Sequence, residues 1–171
     1  MDQVSTPGDV YWANQAGFIP MMIRVAQRKK YGAHNNAALY NHCFMVVGYN
    51  GEIVQANAGG IERGNLSNYG PADKLTARRP PYAPLEDVNA TAAMRELLLA
   101  HTSYGWLTIA SCGLSLLTGT KLRFGIDGTE ICSGSVAWAL TRANIDCGED
   151  ENFDTPADLF HIATTQGWAT C

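Results

Sequence analysis

β-Branched and aromatic residues concentrate in two short runs, His42 to Tyr49 and Glu52 to Asn57, separated by Asn50-Gly51. Runs of this kind read as strands, and Asn-Gly between them favours a type I′ hairpin turn. The pattern therefore predicts a hairpin in which Tyr49 faces Glu52, Val46 faces Gln55 and Phe44 faces Asn57. Side chains alternate between the faces of a strand. His42, Phe44, Val46 and Gly48 then share a face with Ile53, Gln55 and Asn57. Cys43, Met45, Val47 and Tyr49 share the other with Glu52, Val54 and Ala56.

Elsewhere the spacing is helical. Pro20 suits a first helical position; Met22, Ile23 and Ala26 give that helix an apolar face, and Arg28 to Lys30 close it, where cations complement the dipole. Asn89 to His101 reads as a second helix. Trp106, Ile109, Ala110, Gly113, Leu114 and Leu117 mark a third by their i, i+3, i+4 recurrence. Cys132 opens a fourth over Ser133 to Ala143, with Val136 and Leu140 one turn apart. The last is announced by Thr155 as cap, Pro156 at the first position, Asp158 at the third and Gly167 as stop. Val10 to Trp12 is a short strand behind the turn Thr6-Pro7-Gly8-Asp9. Tyr31 to Asn41 reads as a loop, and Asn65 to Pro84, with four prolines, as an irregular surface excursion. The order of elements predicts an α+β fold, a small antiparallel sheet packed against helices.

The 171 residues fit one domain spanning 1–171. A hydrophobic share of 46% is enough for a core without staples. The net charge of −4 and the lack of a large basic run argue against a nucleic-acid partner. No apolar stretch reaches the length of a membrane span. Met1 to Val10 lacks the basic and apolar regions of a secretion signal, so cytoplasmic synthesis without a signal peptide is expected. The five cysteines form no C-x-x-C pair and leave one over, which speaks against a disulfide framework and a zinc module. His42 and Cys43 lie on opposite strand faces and cannot chelate one ion together; no metal or other cofactor is expected.

Two residues carry candidate chemistry. Cys132 sits at a helix start, where free N–H groups and the dipole stabilise a thiolate and can receive an oxyanion. His42 is the candidate base, and a base needs a third group to fix its tautomer. Gln55 and Asn57 share its face, and either can accept from the imidazole; Glu52 does not share that face. His34 is placed in a loop, His101 at a helix end, and His161 as a partly buried packing residue. Cys43 is expected to point away from His42 into the core.

In order and spacing these residues resemble the permuted branch of the NlpC-type papain-like hydrolases, in which the histidine hairpin precedes the cysteine helix. Gly8-Asp9-Val10 is similar to the family's opening strand, Asn41 to Gly48 to its histidine strand, and Ile53-Val54-Gln55-Ala56 with Gly60-Ile61 to its polar-residue strand. Ile131-Cys132-Ser133 with Val136-Ala137 resembles its cysteine helix, and Thr155 to Leu159 its ending. Tyr104 matches a tyrosine often found there. Gly134 and Gly105 depart from the pattern, standing where the family often has Glu or a larger residue, and Asp.

The resemblance implies a papain-like fold with Cys132 as nucleophile, His42 as base and Gln55 as the orienting residue. Tyr104, Asn57 and Ser133 are then expected to meet substrate. It implies a cysteine amidase or peptidase acting on peptidoglycan stem peptides after lysis, in a virion or by a non-classical route, with a targeting or virion partner, as in a phage lysin. A non-catalytic module of the same fold, and a thiol acyltransferase or lipid hydrolase, are the alternatives.

Overall fold

The computed structural model describes residues 5–104, 129–148 and 155–171. They form a mixed α+β structure built on an open antiparallel sheet with four helices. In chain order the elements are β1 (Val10–Ala13), α1 (Phe18–Tyr31), β2 (His42–Val46), β3 (Glu52–Asn57), β4 (Gly60–Asn65), β5 (Thr76–Arg79) and α2 (Glu86–Leu99). They continue with β6 (Ser103–Tyr104), β7 (Thr129–Glu130), α3 (Cys132–Thr141), α4 (Pro156–Thr165) and β8 (Ala169–Thr170). The main sheet runs β4-β3-β2-β1-β5-β8, and β6 pairs with β7 in a separate parallel ribbon. The helix predicted over Trp106 to Leu117 lies outside the described residues.

The hairpin forms, but two residues out of the predicted register. Met45 faces Val54 and Val46 faces Ile53, not Gln55. Phe44 and Asn57, and Tyr49 and Glu52, are likewise unpaired in β2–β3. A type I′ turn needs positive φ at both central residues; here Gly51 has φ 77° and Asn50 is not left-handed. The turn instead closes from Gly48 to Gly51, with the Gly51 N–H donating to the Gly48 carbonyl at 3.2 Å. Val47 and Gly48 both donate to the Glu52 carbonyl. A slip of two preserves parity, so the predicted face assignments survive.

One face of the sheet, with Trp12, Cys43, Met45, Val54 and Ala56, packs on α2, α3 and α4 around Met94, Val136, Leu140 and Leu159. The other buries Ala13, Phe44, Val46 and Ile53 under Tyr11, Leu66, Tyr69 and Leu75. The expected excursion after Asn65 therefore covers a second core, and it contains β5, which pairs with β1 and β8 inside the sheet. Proline content masked that strand, since its four residues, Thr76 to Arg79, lie between Pro71 and Pro80.

Helix ends follow local chemistry. Thr155 and Asp158 form the predicted capping box, Pro156 opens α4 and Gly167 lies beyond its end with φ 69°. Asp158 also accepts from Lys30 at 2.5 Å and from the Tyr31 hydroxyl, tying α4 to the end of α1. On α1 the apolar expectation holds in part: Ala26 is buried and Ile23 half-buried, but Met22 is exposed. Gln27 takes the inner place because its amide donates to the Tyr40 carbonyl at 2.7 Å and accepts from the Ala157 N–H at 3.0 Å. Helix α2 begins earlier than predicted, at Glu86, where Glu86 and Asp87 complement the dipole. It ends before His101, which sits in the left-handed region with φ 50°. His161 is exposed on α4, not partly buried, with its ring 5.7 Å from that of Tyr31. No described helix is long and apolar enough to cross a membrane.

Candidate active site

The site forms where the start of α3 meets the ends of β2 and β3. Ile131 is the N-cap in extended conformation and Cys132 is the first helical residue. The first intrahelical bond is Ser135 N–H to the Ile131 carbonyl at 2.9 Å, so the N–H groups of Cys132 to Gly134 precede the helix's own ladder. Ser135 Oγ closes on the Cys132 carbonyl at 3.0 Å. Val136 and Leu140 anchor the helix to the core with no exposed surface.

His42 lies beside Cys132, and its Nε2 is 3.0 Å from Gln55 Oε1. An amide oxygen only accepts, so Nε2 carries a proton and Nδ1 is left for Cys132. The same Oε1 accepts from the Tyr69 hydroxyl at 2.5 Å. Gln55 Nε2 donates to Glu62 Oε1 at 3.1 Å, and Asn57 Nδ2 donates to that oxygen at 2.6 Å. Gln55 and Glu62 face each other directly in the β3–β4 ladder. The Phe44 ring lies 5.8 Å from the imidazole and stacks on Tyr69 at 4.6 Å. Cys132, His42 and Gln55 retain only 4%, 4% and 6% of their surface. In so dry a place each polar group needs its partner.

The electrostatics separate the two reacting groups. A hydrogen bond from the Cys43 thiol holds Cys132 well below the ordinary thiol range; burial opposes it, and the hydrogen bond and charge of His42 and the Cys43 backbone add to it. A thiol is a weak donor and the imidazolium carries a full charge. For His42, burial disfavours the charged ring, but hydrogen bonding and charge from Cys132, then Gln55 and Glu62, leave its pKa raised. Burial, and donation to Cys132, push the Cys43 thiol well up. The charge therefore resides on Cys132. Cys43 is buried on the helix side of the sheet as expected, yet it touches the nucleophile, which its opposite strand face had not suggested.

The other named residues divide. Asn57 is spent on Glu62 rather than on His42. Ser133 is fully buried in α3. Tyr104 is placed on β6, beside Glu130 of β7. Cys147 is buried, and Cys171 is half-buried, with its thiol pushed up to about 11 mainly by burial; Cys112 and Gly105 lie outside the described residues. Glu62 and Tyr69 were missed. A second hairpin signal, Ala58-Gly59 ahead of Gly60, pointed to Glu62; Gly60 pairs with Asn57 across that turn. Nothing local pointed to Tyr69, which reaches Gln55 from the excursion. Compared with protein-family models and with curated proteins, the chain matches none.

Proposed function

We propose that this chain is a papain-like cysteine hydrolase of the permuted NlpC type, cleaving an amide bond in bacterial peptidoglycan stem peptides. The observation that carries the reading is an acidified thiol at the first residue of a helix, beside an imidazole whose Nε2 is held at 3.0 Å by the Gln55 amide. The Cys132 thiolate attacks the carbonyl carbon, and the oxyanion is received by N–H groups of the first turn of α3. The C–N bond breaks as the tetrahedral species collapses, and His42 gives its Nδ1 proton to the leaving amine. Water then attacks the thioester, His42 takes its proton, and the thiolate departs from the new carboxylic acid. The wall peptide as substrate, and delivery by lysis, a virion or a targeting partner, follow from the sequence resemblance.

The test is iodoacetamide labelling against pH, read thiol by thiol by mass spectrometry, with amine release from purified peptidoglycan alongside. Rapid labelling of Cys132 at about pH 6, lost in His42→Ala, is expected. Amine release is expected to vanish in Cys132→Ala. Labelling only near pH 8.5 or above, indifferent to His42, would reject the pair and put the non-catalytic module first.

A further inference from the structure

The Gln55 side chain has two ends of nearly equal shape and opposite hydrogen-bonding sense. With the carbonyl toward His42, Nε2 is protonated and the neutral ring offers its Nδ1 lone pair to Cys132. With the NH2 end toward His42, Nε2 must accept, the proton moves to Nδ1, and the neutral ring has no lone pair there to take the thiol proton. Something must select the first arrangement. Tyr69 does not select it alone, because a hydroxyl both donates and accepts. Glu62 does: its ionised carboxylate only accepts, and its Oε1 lies 3.1 Å from Gln55 Nε2. Asn57 holds that same oxygen at 2.6 Å.

We infer that Glu62 is a positioning residue, whose carboxylate fixes the direction of the Gln55 amide and, through it, the tautomer of His42. The inference rests on the Cys132–His42 pair of the proposed function. Glu62 is exposed on β4, so water screens its charge, which is the smallest of the influences raising His42; its main action is through the direction of a hydrogen bond. Asn57 thereby becomes a support of the carboxylate. Among the described residues, the titratable groups facing the imidazole are Cys132 from α3, its neighbour Cys43 on β2, Glu62 from β4, and Tyr69 from the following turn. Asp73 acts on Tyr69, whose hydroxyl is pushed up chiefly by burial and so stays protonated as a donor to Gln55.

The test uses the full chain and the pH midpoint of Cys132 alkylation, with thermal melts in parallel. Glu62→Gln, which lets both amides turn, should raise the midpoint by about one pH unit, a roughly tenfold loss of labelling on the low-pH limb. Combining it with Gln55→Glu should restore the low midpoint. A carboxylate at position 55 accepts from His42 and Tyr69 whichever way it turns, and the amide at position 62 donates to it. A merely structural role would lower the melting temperature without moving the midpoint. An unchanged midpoint in Glu62→Gln, with His42→Ala still effective, overturns the role of Glu62 alone. Failure of the double substitution to restore it, in a chain that melts normally, also overturns that role. If His42→Ala leaves Cys132 labelling unaltered, the pair itself fails and the inference falls with it.

Discussion

Gln55 and Asn57 share a strand face, yet Gln55 reaches the imidazole and Asn57 stops at Glu62. Sequence pattern confined the partner of His42 to these two and went no further, because face is set by parity while reach depends on how β2 and β3 diverge. Gln55→Ala is expected to cost about 100-fold in activity, the low end of what a positioned acid or base contributes, and Asn57→Ala only several-fold; amine release from peptidoglycan ranks them, and the reverse order would move the orienting role to Asn57. Cys43 has a separate effect. Its thiol is the largest influence lowering Cys132, so Cys43→Ala should move the Cys132 labelling midpoint upward. A midpoint unmoved or lowered would leave His42, the backbone at position 43 and the helix end as the sources of acidity. That contact was illegible from the hairpin, since it depends on where α3 docks rather than on which way Cys43 points.

At the level of elements, strand β4 shapes the site as much as the hairpin that carries the base. Its Glu62 faces Gln55, and Gly64, two residues on, leaves room where a Cβ would come within 3.2 Å of Gln55 Nε2 and of Ile53 Cγ1. Gly64→Ala should therefore slow Cys132 alkylation several-fold while changing stability by no more than about 1 kcal/mol, because crowding is offset by lower chain entropy. Labelling at the parent rate would show that the amide gives way freely. The elements themselves were largely legible: capping chemistry marked α4, and Cys132 and the Val136–Leu140 spacing marked α3. The hairpin register was not, because Asn-Gly names a preferred turn and the chain closes a longer one from Gly48 to Gly51. The face assignment survived because the error was even; a slip of one would have sent His42 to the helix side. β5 was hidden by its flanking prolines and by its shortness.

Over the whole molecule, one sheet draws strands from Val10 to Thr170, and Asp158 ties α4 back to α1. Burial opposes ionisation of this carboxyl, but hydrogen bonds from Lys30, Thr155 and Tyr31, and the charge of Lys30, hold its pKa below 3.8. A depressed carboxylate stabilises fully above its unfolded value of about 3.9, and that stability is lost as pH falls through the folded value. Asp158→Asn should thus cost about 1–2 kcal/mol at neutral pH, with half-exposed Lys30 adding little. The difference from the parent should close below about pH 4 in denaturant titrations; a constant gap would assign the loss to packing. Such long-range ties leave no local trace in sequence, which is why the capping box was readable and its link to Lys30 and Tyr31 was not. The order of the site along the chain has a consequence for biosynthesis. His42, Gln55, Glu62 and Tyr69 all leave the ribosome before Cys132, and two thiols, Cys43 and Cys112, also precede it. A nascent or prematurely released chain thus carries the base without the nucleophile, and the reactive sulfur is acidified only once the strands that restrain it already exist.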